Sequence, residues 1–102
     1  MPMKEYISAT KEKIKQVVDL FYQQKNQEGY QELIKVIDSL SEIIALMEKE
    51  QSNLELVEKN NKLLYSLNNV TDAMINKDTV LQADILNYEI TDILDEIAEI
   101  IK

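Results

Sequence analysis

Residues 30–47, YQELIKVIDSLSEIIALM, decide the fold of this chain. Their apolar side chains recur at alternating spacings of three and four, which is the heptad seam of a coiled-coil helix. The seam consists of Tyr30, Leu33, Ile37, Leu40, Ile44 and Met47. Val36 and Ile43 on one side and Ile34 on the other widen the apolar arc beyond what a two-stranded coiled coil needs. We therefore expect this helix to lie inside a helical bundle.

The last quarter of the chain repeats the pattern. Its stripe consists of Ala83, Leu86, Ile90, Ile93, Ile97 and Ile100. Thr79 and Gln82 have the spacing of a capping box, and Asp78 is the alternative cap, because either oxygen can accept from an unpaired amide. The pattern predicts a helix from about residue 79 to the end.

The other two quarters are less regular but also helical. The third opens on the S-x-x-E pattern of residues 52–55, and its apolar positions are Leu56, Leu63, Leu67, Val70 and Met74. The asparagine pairs at 60–61 and 68–69 are poor helix formers and weaken its middle.

The first quarter of the chain predicts a helix over residues 4–25. The apolar residues on one face of this helix are Ile7, Ile14, Val17, Val18 and Phe21. Gly29, the only glycine, is expected at its C-terminal end or in the following turn.

Four helices of this length, joined by short loops, predict an all-α fold, an antiparallel up-down four-helix bundle, in one domain over residues 1–102. One glycine, one proline and 45% hydrophobic residues argue against all-β and disordered classes. Residues 48–53 contain neither glycine nor proline. The second and third helices could instead form one rod, whose seams a dimer would have to bury.

Composition narrows the chemistry. The chain has no cysteine and no histidine, so thiolates, His-based nucleophile pairs and histidine metal ligands are excluded. We expect no catalytic site, cofactor or metal; an enzyme working through carboxylates and lysine alone is the least favoured class. The N-terminus lacks an apolar run behind its charges, and no segment is long enough to span a bilayer, so a cytoplasmic protein is expected.

The charge is concentrated near the C-terminus. The net charge is −8, and residues 78–102 contain one lysine against seven acids. This charge repels phosphate backbones and anionic membranes, so neither nucleic acid nor membrane is an expected partner. Asp84, Asp92, Asp95 and Glu99 fall roughly on one side of the last helix. They form a weak divalent-cation site, a patch that steers a basic partner, or a solvated face, and we favour the solvated face.

Three apolar residues depart from the stripe of the last helix. On a wheel of 100° per residue, Leu81 and Tyr88 point nearly opposite the stripe, and Ile85 lies to its side. They are either core residues between two neighbouring helices or an exposed patch with Asp84 and Glu89 at its rim. The candidate partner-binding residues are therefore Leu81, Asp84, Ile85 and Tyr88.

This segment also carries a resemblance. Residues 78–89, DTVLQADILNYE, read as D-x-V-L-x-A-D-x-L-x-Y-E and resemble the C-terminal part of short, uncharacterised helical proteins of Gram-positive bacteria. The resemblance implies no particular activity. In size, acidity and helical layout the chain is similar to flagellar export chaperones, a similarity of architecture only, which implies binding of another protein.

Two functions remain. The first is a non-enzymatic interaction module, a cytoplasmic adaptor, regulator or chaperone-like bundle that binds another protein through the candidate residues. The second is a structural homo-oligomer, in which the surplus apolar surface forms a symmetric contact between copies.

Overall fold

A computed structural model describes residues 3–50 and 52–101, and four helices account for nearly all of these residues. The first three are α1 (Met3–Tyr22), α2 (Asn26–Glu48) and α3 (Leu54–Ile75). The fourth consists of three continuous segments, α-helical Thr79–Asp84, π-helical Ile85–Ile90 and α-helical Thr91–Ile100, which we together term α4. No strand occurs among the described residues. The fold is all-α, as predicted.

The first helix ends earlier than the predicted residue 25. Gln24 has a φ of 62°, in the left-handed region that stops an α-helix. The amide of Lys25 donates to the carbonyl of Leu20 at 2.8 Å, as in a Schellman motif. A non-glycine residue therefore forms the C-terminal cap, which composition does not reveal.

Gly29 lies in the first turn of α2 and not at the end of α1, so its expected position was wrong. It faces the ring of Phe21, and a Cβ placed on it would lie 2.5 Å from the Cε1 atom of that ring. The ring also makes an edge-on contact with Tyr30, with centroids 5.1 Å apart. The glycine is needed because α1 and α2 approach so closely here.

α2 ends at Glu48 and α3 begins at Leu54, so the alternative of one continuous rod is wrong. The amide of Glu50 donates to the carbonyl of Met47 at 2.9 Å, and Asn53 then caps α3. Its side-chain oxygen accepts from the amide of Leu56 at 3.2 Å. Asn53, rather than Ser52 of the S-x-x-E pattern, is the cap, and α3 continues without interruption through both asparagine pairs.

Asp78 caps α4, accepting from the amide of Leu81 at 3.0 Å, so the alternative cap is the one used. Gln82 is fully buried and takes no part in a capping box. Its side-chain nitrogen donates to the hydroxyl of Tyr30 at 2.9 Å and to the carbonyl of Ala73 at 3.4 Å. Gln82 thus ties α4 to α2 and α3 at one end of the molecule.

The core lies between all four helices. α2 packs against α1 and α3, and α4 also packs against α1 and α3. The largest fully buried apolar side chains are Ile7, Ile14, Phe21, Leu33, Leu40, Ile43, Leu63, Leu86, Ile90, Leu94 and Ile97. The molecule measures 42 × 23 × 19 Å. Within residues 3–50 and 52–101, no helix combines the length and apolar character needed to cross a bilayer.

Candidate functional site

A π-helical segment lies at the centre of α4. It covers Ile85–Ile90, and the hydroxyl of Thr91 donates to the carbonyl of Leu86, five residues earlier, at 2.9 Å. A π-helix has more residues per turn than an α-helix, so a wheel of 100° per residue loses register here. This segment contains Ile85 and Tyr88, two of the three apolar residues that depart from the stripe.

The structure divides the four candidate partner-binding residues. Leu81 is 45% exposed and Tyr88 is 62% exposed, whereas Ile85 is only 4% exposed and belongs to the core. Asp84 is half-buried. Ile85 is buried because α4 packs between α1 and α3, so its inward arc is wider than that of a helix with one neighbour. Leu81 and Tyr88 are therefore the surface members of the set.

Asp84 holds another tyrosine, Tyr22, beside the surface formed by Leu81 and Tyr88. The hydroxyl of Tyr22, on α1, donates to the carboxylate of Asp84. This hydrogen bond, together with partial desolvation and the negative charge of Asp84, raises the pKa of Tyr22 to about 12. Ionisation would place a phenolate against a carboxylate, so Tyr22 stays protonated at physiological pH. Tyr22 is 46% exposed, and the hydroxyl of Tyr88 makes a smaller contribution that also raises its pKa.

Tyr65, on α3, lies on the other side of Tyr88. The two rings line one depression of about 350 Å³ together with Lys62, Ser66, Glu89, Asp92 and Ile93. Ser66 donates to the carboxylate of Glu89 at 3.2 Å, which orients the acid at the edge of the depression. We term the exposed set Tyr22, Tyr65, Leu81 and Tyr88 the tyrosine surface.

The tyrosine surface was only partly predicted. The helical wheel singles out Leu81 and Tyr88 but leaves open whether they are core or exposed, whereas Tyr22 and Tyr65 are isolated tyrosines in the sequence. They belong to α1 and α3, and only the packing of both helices against α4 brings them to Tyr88. No sequence spacing carries that information.

The acidic side chains of α4 have several roles. Asp84, Glu89 and Asp92 adjoin the tyrosine surface, whereas Asp95 pairs with Lys11 and Glu96 pairs with Lys59 at 2.7 Å. The Glu96 carboxylate raises the pKa of Lys59, and the Lys59 ammonium lowers the pKa of Glu96. Among the described residues, no group of three or more acidic side chains has the geometry of a metal site.

All-helical proteins with an exposed aromatic surface form a broad class. One comparison with known proteins assigns this chain to a family within it. The family model of a domain of unknown function, DUF8042, matches residues 2–100. The chain therefore belongs to this family. Neither a curated protein nor a solved structure matches the chain.

Proposed function

We propose that this protein is a non-enzymatic, cytoplasmic interaction module, an adaptor, regulator or chaperone-like protein, whose tyrosine surface binds a lysine- or arginine-rich segment of another protein. The observation that carries the proposal is the convergence of three exposed tyrosines, from three helices, beside Asp84, Glu89 and Asp92.

Aromatic rings with this exposure suit a binding surface. Tyrosine is enriched in interfaces because it offers a large contact area, few rotatable bonds and a polar tip. The face of a tyrosine ring attracts a lysine or arginine cation, and the neighbouring carboxylates add hydrogen-bonding acceptors for it. A basic amphipathic helix or tail would satisfy both, with its apolar side chains on Leu81.

The net charge of −8 supports the choice of a basic partner over a second copy at this surface. Two copies of the same acidic surface would repel each other, whereas a basic segment would be attracted and its approach accelerated. The π-helical segment is a further argument, since such segments occur frequently at functional sites.

We propose an antiparallel up-down four-helix bundle, with coiled-coil-like seams, as the architecture that presents this surface. Between α1 and α4, Lys11 contacts Asp95 and Tyr22 contacts Asp84, so residue numbers rise in one helix as they fall in the other. Contacts between α3 and α4 follow the same rule: Lys59 pairs with Glu96, and Ser66 with Glu89. We further propose that residues 78–89, the segment resembling helical proteins of Gram-positive bacteria, carry the function.

Photo-cross-linking in the native host tests the proposal. A photoreactive phenylalanine analogue is placed at position 88 or 81, with the exposed position Gln31 on α2 as the control. The expected result is adducts of the same defined mass at 88 and 81 and none at 31. Their loss in an Asp84→Lys background would support a basic partner. A folded protein that gives no adduct at either position, or equal adducts at 31, would contradict the proposal.

A further inference from the structure

A second heptad stripe, which we term the outer stripe, runs along the flank of α3, about 100° round the helix from the stripe that faces the core. The inner stripe is Leu56, Asn60, Leu63, Leu67, Val70 and Met74, and it faces the other helices. The outer stripe is Leu54, Val57, Asn61, Leu64, Asn68, Thr71 and Ile75. Its spacings alternate between three and four over the whole helix, which is the pattern of a seam between helices.

The outer stripe is exposed and apolar at its ends and centre. Leu54 and Ile75 are each 79% exposed and Leu64 is 38% exposed, whereas Val57 and Thr71 are half-buried. The hydroxyl of Thr71 donates to the carbonyl of Asn68 at 2.8 Å, so it needs no further donor or acceptor and its methyl group can make apolar contacts. A lone exposed leucine is ordinary, but a seven-position seam is not.

The outer stripe also contains no charged residue, although 29% of the chain is charged. α2, which packs against α3, has an uncharged stripe as well, which consists of Ile34, Ile37, Ser41 and Ala45. Two copies of a chain with a net charge of −8 repel each other over most of their surface. They can approach more closely along these uncharged stripes, with Glu48 as a charged residue at one end of the face.

The order of side chains in the stripe suits a symmetric contact. It reads large apolar, β-branched, Asn, Leu, Asn, β-branched, large apolar, which is nearly the same in both directions. In a two-fold contact each partner presents the same patch. Because the order is nearly the same in both directions, the asparagines of one copy meet those of the other, and Leu64 lies near the axis. Buried asparagines at equivalent heptad positions fix register and oligomeric state, and Asn61 and Asn68 are seven residues apart.

The surface beside the stripe can receive a side chain from a partner. Met47 and Glu48 of α2 and Leu54, Val57, Asn60, Asn61 and Leu64 of α3 line a depression of about 390 Å³. The whole face is about 32 Å long, at 1.5 Å per residue, and about 20 Å wide across two helices. That is on the order of 600 Å² per copy, somewhat below the ~800 Å² of a standard interface.

We propose that the outer stripe of α3 binds the same stripe of a second copy of this chain, forming a two-fold dimer that leaves the tyrosine surface free. This interface is separate from the proposed partner site, so either proposal can be wrong while the other is right. Because its area is below that of a standard interface, we expect a weak dimer that dissociates in about the micromolar range.

Sedimentation equilibrium over about 1 to 500 µM tests the proposal. The expected mass rises from the 11.9 kDa of one chain to twice that value. Leu64→Asp should weaken the dimer at least tenfold, because it buries an unpaired charge at the centre of the interface. The matched control is Tyr65→Asp, next along the helix and on the α4 side, which should leave the dimer unchanged. A wild type that stays monomeric throughout would overturn the proposal.

A second variant, Asn61→Leu, distinguishes a weakened interface from a protein that fails to dimerise because it is misfolded. Replacing an amide in the seam with an apolar side chain should tighten the dimer about tenfold or more while loosening its register. A gain in affinity cannot arise from an unfolded protein. Unchanged affinity in both Leu64→Asp and Asn61→Leu would show that any dimer uses another face. Helical circular dichroism confirms that each variant is folded.

Discussion

At the scale of single residues, Gly29 is the position at which one added methyl group matters most. Phe21 is fully buried and held against Tyr30, so its ring cannot move away from a Cβ placed 2.5 Å from it. We expect Gly29→Ala to lower the free energy of unfolding by about 1–2 kcal/mol. Overpacking costs about 1–3 kcal/mol and outweighs the ~1 kcal/mol that alanine gains over glycine in a helix.

Urea unfolding measures this effect, and Gln27→Ala, an exposed change in the same helical turn, serves as the control with little effect. Stabilisation by Gly29→Ala would mean that helix propensity, and not the contact between α1 and α2, decides the residue at this position.

Tyr22 makes a prediction about pH. Its pKa of about 12 in the folded protein lies above the ordinary value near 10. The protonated form therefore stabilises the fold fully below pH 10, and this contribution is lost as the pH rises from 10 to 12. Asp84→Asn should return the pKa of Tyr22 to near 10, because both the carboxylate acceptor and its charge are removed.

Ultraviolet titration of tyrosinate, with Tyr22→Phe to identify the signal, measures the pKa of Tyr22. If wild type and Asp84→Asn titrate identically, the hydrogen bond between Tyr22 and Asp84 is absent in solution, and the α1 side of the tyrosine surface is not held in place.

At the scale of the helices, the C-terminal ends of α1 and α3 have the same geometry. Lys77 has a φ of 57° and Gln24 has a φ of 62°, and each is followed by an amide that donates to a carbonyl five residues earlier. A side chain in this region costs roughly 1–2 kcal/mol. We expect Lys77→Gly to raise the free energy of unfolding by about 0.5–1 kcal/mol, since greater flexibility of the unfolded chain offsets part of the gain.

Lys15→Gly, in the exposed middle of α1, is the matched control and should lose about 1 kcal/mol. Chemical unfolding of the two variants should give opposite signs. A loss of stability in both would contradict the left-handed conformation of Lys77.

The helices themselves could be predicted from apolar spacing, but their ends could not be predicted as well. Stripes such as Leu33 to Met47 indicate which faces meet, because burial repeats with the helical period. The ends depend on single hydrogen bonds, and neighbouring residues compete for them: Asn53 is used rather than Ser52, and Asp78 rather than Thr79. The position of Gln82 three residues after Thr79 is that of a capping box, but its side chain instead bonds to Tyr30 on α2 and Ala73 on α3.

The candidate site was predictable to the same limited degree. Leu81 and Tyr88 depart from the stripe of α4 because they face solvent, and the helical wheel singles them out without deciding between core and surface. Ile85 departs from it for another reason, since a π-helical turn and two flanking helices bury it. Distinguishing the two cases requires the positions of α1 and α3, which apolar spacing along α4 does not contain.

At the scale of the whole molecule, net charge sets how stability responds to salt. The charge of −8 destabilises the compact state by self-repulsion, and its acids are concentrated in α4. At 0.01 M salt the screening length of about 30 Å approaches the 42 Å length of the molecule, whereas at 0.15 M it is about 8 Å. The opposing ion pairs between helices, Lys11 with Asp95 and Lys59 with Glu96, are partly exposed and contribute little, as do the exposed pairs within helices.

Repulsion therefore outweighs attraction, and we expect the midpoint of thermal unfolding at pH 7 to rise by about 3–6 °C between 0.01 and 0.15 M NaCl. Asp92→Asn, which removes one exposed acid, should raise the midpoint at low salt and have less effect at high salt.

The pH dependence at low salt follows from the same repulsion. Lowering the pH toward the isoelectric point near 4.5 should stabilise the fold at first. Glu96 limits this gain: its lowered pKa stabilises the fold above the ordinary glutamate range, and that contribution is lost as the pH falls through its folded pKa. The greatest stability at low salt should thus lie between the isoelectric point and pH 7, and a midpoint that falls with added salt would instead mean that the two ion pairs dominate.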